Sequence, residues 1–250
     1  MVDKMFVNTK VGSIVSLDWQ SSAEGETILQ HFYDPQTTGR KVLGILDRPS
    51  LPSSIEEVSY KLHITGRSGV GKTATVARLY GIKCPSTYVE TAGIRKSNIY
   101  WPVKIWDKII LFKLQFWDAG DNSIKKYSHI LPACKDKVDA IIYVFSFLDN
   151  NSFAELPQHM SRMSQMGENP TNIVIGTRYN PGNILEVSTA DIKEFELKWQ
   201  VPVLKIDNTW SGSRSNCDSE VHEVAPLLNI ICEQLWIRDQ EYLLKQGLAR

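Results

Sequence analysis

No apolar run in this chain reaches the length a membrane-spanning helix needs, and its first residues, MVDKMFVNTK, hold no signal-peptide core. The start Met1-Val2 offers no glycine for myristoylation, and the ending KQGLAR has no cysteine for prenylation. A cytoplasmic protein without its own lipid anchor is expected. Cysteine is scarce. The four residues Cys84, Cys134, Cys217 and Cys232 are far apart and form no CxxC pair, so buried free thiols are expected rather than disulfides or metal ligation. Net charge is lacking too: 28 basic residues balance 28 acidic ones, which argues against a nucleic-acid binder that depends on overall positive charge. There is no internal repeat and no low-complexity tract.

What is present is enough apolar material for a substantial core: 42% of the 250 residues are hydrophobic. YKLHIT reads as a short buried strand, and KTATVARLYG as a helix ended by Gly81. SNIYWPVKIW and IILFKLQFWD flank Asp107-Lys108 as a long antiparallel hairpin. DAIIYVFSF and NIVIGTR are continuous apolar runs of the kind buried on both faces of a parallel sheet. Ser152 with Glu155 suggests a capping box, Ser188 caps a helix over TADIKEFELKWQ, and PVLKID is the last strand. Val221, Val224, Leu228, Ile231, Leu235 and Trp236 form one face of a final helix. The alternation predicts an α/β fold with a six-stranded, mostly parallel sheet and helices on both faces. Three regions follow: an N-terminal extension over 1–59 packed on the domain, a nucleotide-binding domain over 60–240, and a tail over 241–250. Trp19, Leu29, Phe32, Val42, Leu43 and Ile45 in the extension call for burial.

The chemistry begins at Gly66-Arg67-Ser68-Gly69-Val70-Gly71-Lys72-Thr73, which matches the phosphate-loop pattern between a strand and a helix. A chance match in a chain this long is roughly a one-in-a-hundred event. Backbone N–H groups from Ser68 through Ala74 would curl around a phosphate, helped by the helix dipole. Lys72 would bridge the β- and γ-phosphates, and the Thr73 hydroxyl would bind Mg²⁺. Asp118 closes the strand FKLQFWD as a carboxylate able to hold that metal through water. Gly120 follows with an N–H for the γ-phosphate, and Thr91 in ETAGIR is a second hydroxyl for the cation.

GRSGVGKT, TAGI, WDAG and IGTRYN stand in the order and spacing of a Ras-superfamily small GTPase, nearer Rab than Ras. With the flanks GSIVSLDW, EGETIL, ILDRPSLP, SFAELP and EQLW, the chain resembles the Rem/Rab-like small GTPases of the ciliogenesis and planar polarity effector complex. That resemblance implies GTP or GDP with Mg²⁺ as cofactors. It also implies a role in cilium biogenesis at the basal body and the Inturned, Fuzzy and Wdpcp proteins as partners.

Two departures bear on the chemistry. The usual aspartate–two residues–glycine motif is one residue short, Asp118-Ala119-Gly120, and Asp121 stands where the family places a water-orienting glutamine. An ionised aspartate only accepts hydrogen bonds and brings negative charge toward a triphosphate. The second departure is Asn180, where the family's guanine-reading aspartate stands. Guanine offers two donors, so an asparagine presents one conflict; xanthine would suit it better. Alternatively Asn180 caps the Asn-Pro-Gly turn and another group reads the base. Thr177 replaces the usual asparagine, Arg178 a lysine whose stem covers the base, and Asp207-Asn208-Thr209 the usual serine-alanine-lysine. Asp207 enters as a candidate for partial compensation near the base edge.

The leading expectation is a nucleotide-dependent switch; the alternative is a pseudo-GTPase acting as a binding module. A P-loop kinase or ATPase is disfavoured by the hairpin beside the phosphate-loop helix. Arg67 and Arg95 are in-chain candidates for phosphate contact, beside the plainer expectation of solvated arginines. Trp101, Trp106 and Tyr100 are candidates for either an effector surface or packing. Asp121 predicts very slow intrinsic hydrolysis, checked by single-turnover phosphate release from the GTP-loaded protein; an added arginine finger is expected to raise the rate by about 10³–10⁵ where water can be positioned.

Overall fold

The structure, a computed structural model, describes residues 12, 14–33, 48–80, 90–120, 126, 130–164, 170–180, 182–208 and 217–247. Gly81, Asp121, Thr209 and the apolar residues Val42, Leu43 and Ile45 lie outside them. The strands are β1 (Glu56–Thr65), β2 (Ile94–Ile105), β3 (Lys108–Ala119), β4 (Ala140–Ser146), β5 (Thr171–Thr177) and β6 (Val203–Lys205). The helices are α1 (Ala23–Tyr33), α2 (Lys72–Leu79), α3 (Ile130–Lys135), α4 (Asn150–Ala154), α5 (Leu156–Ser164), α6 (Thr189–Trp199) and α7 (Cys217–Lys245). One six-stranded, mostly parallel mixed sheet runs in the order β2-β3-β1-β4-β5-β6 with helices around it, as the alternation predicts. Among the described residues no helix is long and apolar enough to cross a membrane.

The chain divides into two compact units, Lys61–Ser97 with Gln115–Arg214, and Met1–Tyr60 with Asn98–Leu114 and Ser215–Arg250. In the first, β4 pairs in parallel with β1 from Leu62↔Ala140 to Thr65↔Tyr143, and with β5 from Ala140↔Thr171 to Ser146↔Thr177. Every residue of β4 is buried, which explains its unbroken apolar sequence. Tyr143, Phe145, Phe147, Leu156, Met160, Val174 and Phe195 are central to the core. Gly176 sits where a Cβ would fall 2.3 Å from a Phe147 ring carbon, so the close approach of that ring requires glycine.

Helix starts follow local polar chemistry. Ser188 accepts from the Asp191 N–H at 3.1 Å while the Asp191 carboxylate accepts from the Ser188 N–H at 3.1 Å, a complete capping box at α6. The box expected at Ser152 and Glu155 is displaced. The cap of α4 is Asp149, whose Oδ1 accepts from the N–H groups of Asn151 and Ser152 at 3.1 and 3.3 Å. Ser152 turns inward, donating to Asp149 O at 2.6 Å and accepting from the Ser146 N–H at 3.0 Å. The helix begins at Asn150, so Ser152 already lies inside its first turn and the cap falls to Asp149.

In the other unit, Trp19, Leu29 and Phe32 are buried as expected. The hairpin aromatics divide: Tyr100 and Trp101 are buried, whereas Trp106, at the turn with φ 52°, is 65% exposed. Val224, Leu228, Ile231 and Leu235 of α7 are buried, as the periodicity requires. The helix continues through 241–245, residues the sequence groups with the tail. Two fully buried polar residues interrupt its apolar face. Asn229 donates from Nδ2 to Leu17 O at 3.0 Å and to Gln20 Oε1 at 2.9 Å, and its Oδ1 accepts from Gln20 Nε2 and Trp101 Nε1, each at 2.8 Å. Glu233 accepts from the N–H groups of Gly12 (2.6 Å), Ile14 (2.9 Å) and Val15 (3.3 Å). Val15 also bridges to Ile105 at the tip of β2.

Truncating Glu233 to alanine strands three backbone donors in or near a buried setting. The expected loss is about 2–4 kcal/mol, read as a lowered midpoint of urea unfolding, with earlier proteolysis of the N-terminal arm.

Candidate functional site

The parallel strands deliver the phosphate loop at the C-terminal end of β1. Gly66 has φ 149°, and a Cβ there would lie 2.3 Å from Val144 O, so the chain crosses the end of β4 with no side chain. Gly71, left-handed at φ 100°, is the residue from which α2 starts. Lys72 is buried, and its ammonium donates to the carbonyls of Gly66 and Arg67, each at 2.8 Å. Arg67 is a half-exposed side chain facing acidic groups, 3.8 Å from an Asp149 oxygen and 3.6 Å from a Glu155 oxygen. The plainer expectation, a solvated arginine, describes it better than a phosphate contact. Ser68 is exposed, Gly69 half-buried and Val70 buried; Ala74 continues α2.

Residues from three segments meet beside Lys72. Thr73 Oγ1 lies 2.8 Å from Thr91 Oγ1 and donates to Asp118 Oδ2 at 2.6 Å, while Thr91 Oγ1 donates to the same oxygen at 3.3 Å. Asp118 is 2% exposed, and its Oδ1 is buried with no hydrogen-bond partner among the described residues. A buried carboxylate oxygen without a donor is costly, and a hydrated cation relieves that cost. Two hydroxyls and a carboxylate form a hard, all-oxygen set, which fits Mg²⁺. The N–H of Gly120 donates to Gly93 O at 3.4 Å, so the WDAG and TAGI segments touch directly. Tyr80 closes α2 nearby. Burial pushes its phenol well above the usual range, Asp118 adding to the shift and Arg95 opposing it. Two lysine ammonium groups lie over the Trp117 ring, Lys61 at 4.1 Å and Lys96 at 3.8 Å from its centre.

The far end of the site is formed by β5 and β6. Thr177 is fully buried, and its hydroxyl lies 2.6 Å from Val70 O and 3.1 Å from Phe145 O. It braces the phosphate loop against β4. Arg178, left-handed at φ 57°, donates to Gly69 O at 2.8 Å, with Ser146 Oγ at 3.4 Å. Its guanidinium is therefore directed onto the phosphate loop. Asn180 donates to Asp207 Oδ2 at 3.1 Å and accepts from the Gly182 N–H at 2.9 Å. The second contact is the turn cap considered from the sequence. The hydroxyl–carboxylate contacts among Thr73, Thr91 and Asp118, and the tie between Asn180 and Asp207, cross many residues of chain. Motif spacing names the participants but carries no signal for those bonds.

The Ras family profile matches residues 61–212, spanning the phosphate loop, the hydroxyl–carboxylate cluster and the Asn180 segment. The chain belongs to the Ras family. Its similarity to proteins named ciliogenesis and planar polarity effector 2 extends well beyond that profile. The Xenopus laevis protein is 37% identical over 244 residues, covering 92% of this chain and 95% of its own. The human protein is 35% identical over 238 residues, 92% of each chain. The Danio rerio protein is 32% identical over 232 residues, 91% of this chain and 88% of its own. The resemblance expected from GRSGVGKT, TAGI, WDAG, IGTRYN and the flanking stretches is thus borne out, and this Ras-family chain falls with the effectors so named.

Because Thr177 supplies the hydroxyl at Val70 O, Thr177→Val leaves a loop carbonyl without its buried donor. The expected cost is about 1–2 kcal/mol, seen as a lower melting temperature of the whole protein.

Proposed function

We propose that this protein is a guanine-nucleotide-dependent switch acting in ciliogenesis. The observation that carries the reading is the cluster of Thr73, Thr91 and Asp118, which ties the phosphate loop, the TAGI segment and the end of β3 to one point. On this reading Thr73 and Thr91 hold Mg²⁺ through their hydroxyls and Asp118 holds it through water. The cation neutralises charge on the phosphates of bound GTP. Lys72 exchanges the carbonyls of Gly66 and Arg67 for phosphate oxygens. The Gly120 N–H turns to the γ-phosphate, and Ser68 through Ala74 supply the cradle. With both flanking segments held, the surface beside them becomes the one a partner recognises. Ciliogenesis enters through the names of the similar proteins, and the family resemblance supplies the Inturned, Fuzzy and Wdpcp proteins as partners at the basal body. Turnover is slow, because the shortened Asp118-Ala119-Gly120 is followed by Asp121.

A second reading, a pseudo-GTPase used as a binding module, is favoured by one observation. Lys72, Thr177 and Arg178 all bond to phosphate-loop carbonyls, holding the loop from within the protein. Capture of Inturned and Fuzzy by protein loaded with GDP or with a non-hydrolysable GTP analogue separates the two. The switch predicts at least about 10-fold stronger capture with the triphosphate, a difference that Thr91→Ala removes. Equal capture in both states selects the binding module.

A further inference from the structure

Two buried polar atoms beside the cluster of Thr73, Thr91 and Asp118 have no hydrogen-bond partner among the described residues: Asp118 Oδ1 and the hydroxyl oxygen of Tyr80. The first is an acceptor, and the second carries a donor. Asp118 is 2% exposed and Tyr80 3% exposed, so neither group reaches bulk water. Each atom costs free energy if it stays unpaired. One water held between them relieves both costs together, since two polar partners suffice for a buried water.

Helix α2 brings the two groups toward each other. Thr73, Ala77 and Tyr80 fall on one face of the helix. Thr73 Oγ1 donates to Asp118 Oδ2 at 2.6 Å, so this is the face turned to Asp118. Ala77, between the other two, adds only a methyl group. Tyr80 keeps helical backbone angles, and its N–H donates to Val76 O at 3.1 Å and to Ala77 O at 3.2 Å. A long side chain on a helix leans back over the turn before it, which for Tyr80 is the direction of Thr73 and Asp118. The phenol also lies within electrostatic reach of charges on two neighbouring strands, the Asp118 carboxylate on β3 and the Arg95 guanidinium on β2.

We propose that Tyr80 is a positioning residue for the cation site, its hydroxyl holding the Asp118 carboxylate through one buried water. Asp118 Oδ2 accepts from Thr73 and Thr91. A carboxylate oxygen has about two acceptor positions, so Oδ2 is filled and Oδ1 has two to offer. One takes the water from the Tyr80 side, and the other is left for water on the cation. A carboxylate held from both sides is already oriented when the cation arrives, and outer partners of this kind tune metal affinity. The role in cation binding rests on the guanine-nucleotide reading above. The link between Tyr80 and Asp118 does not.

Tyr80→Phe tests this, because it keeps the buried ring and removes only the hydroxyl. The full-length protein is melted in EDTA without added nucleotide, as wild type, Tyr80→Phe, Asp118→Ala and the double variant. Tyr80→Phe is expected to lower the melting temperature by about 2–4 °C, and by roughly half as much or less in the Asp118→Ala background. A hydroxyl with no partner gives the opposite sign, since its removal relieves a buried polar group and raises the melting temperature. Such a rise, or an equal drop in both backgrounds, overturns the proposal. The sign of the Tyr80→Phe shift needs no second variant to fold. The second readout is the Mg²⁺ concentration that half-protects bound fluorescent GDP from release. It is expected to rise about 10- to 100-fold in Tyr80→Phe, while release in EDTA keeps the wild-type rate. Faster release in EDTA marks a general loosening of the site and overturns the positioning role, as does an unchanged Mg²⁺ requirement. Failure of the wild type to bind GDP overturns the switch reading and the role in cation binding, whereas the melting series still decides whether Tyr80 and Asp118 are joined.

Discussion

The parallel pairing of β4 with β5 is the constraint on which the site depends. Its register, from Ala140↔Thr171 to Ser146↔Thr177, brings the Thr177 hydroxyl to Phe145 O and Val70 O, at the end of β4 where the β1–β4 pairing sets Gly66. A strand buried on both faces has no polar side to fix its register, so shape must do so. Gly176 provides that shape, since Phe145 and Phe147 occupy the space a side chain there would need. A slip of one residue would set Ile175 or Thr177 against those rings and withdraw the hydroxyl from the phosphate loop.

Satisfied polarity organises the unit that holds the N-terminal arm. Asn229 and Glu233 lie four residues apart on α7, fully buried, where an apolar pair would pack at no desolvation cost. Each has its polar atoms matched: the Asn229 amide with Gln20, Leu17 and Trp101, and the Glu233 carboxylate with three backbone N–H groups. Apolar contact alone tolerates sliding, whereas these bonds accept only one position of the arm. Sequence periodicity found the stripe of Val224, Leu228, Ile231 and Leu235 but had no means of assigning the polar residues within it, whose partners lie 128 to 221 positions away.

The same division runs through the site. The phosphate loop, Thr91, Asp118 and the strands themselves were legible because local pattern fixes them: a glycine loop between strand and helix, a carboxylate at a strand end, apolar runs of strand length. Motif comparison weighs Asn180 one position at a time, and so left open whether it reads a base or caps its turn. The bond to Asp207 belongs to two strand ends that become neighbours only through β5–β6 pairing. The bond made by Arg178 is another that residue identity does not show: its left-handed backbone turns the guanidinium to Gly69 O. The cap of α4 went to Asp149 because the helix starts two residues before the Ser152 that the pattern pointed to.

The bond between Gly120 N–H and Gly93 O makes the two segments flanking the phosphate loop mutually dependent. A displacement of either one that breaks this contact removes a restraint from the other, and the cluster of Thr91 with Asp118 gives way along the same line. The segments thus act as a single latch with two handles. Entropy lost in ordering one lowers what remains to be lost in ordering the other.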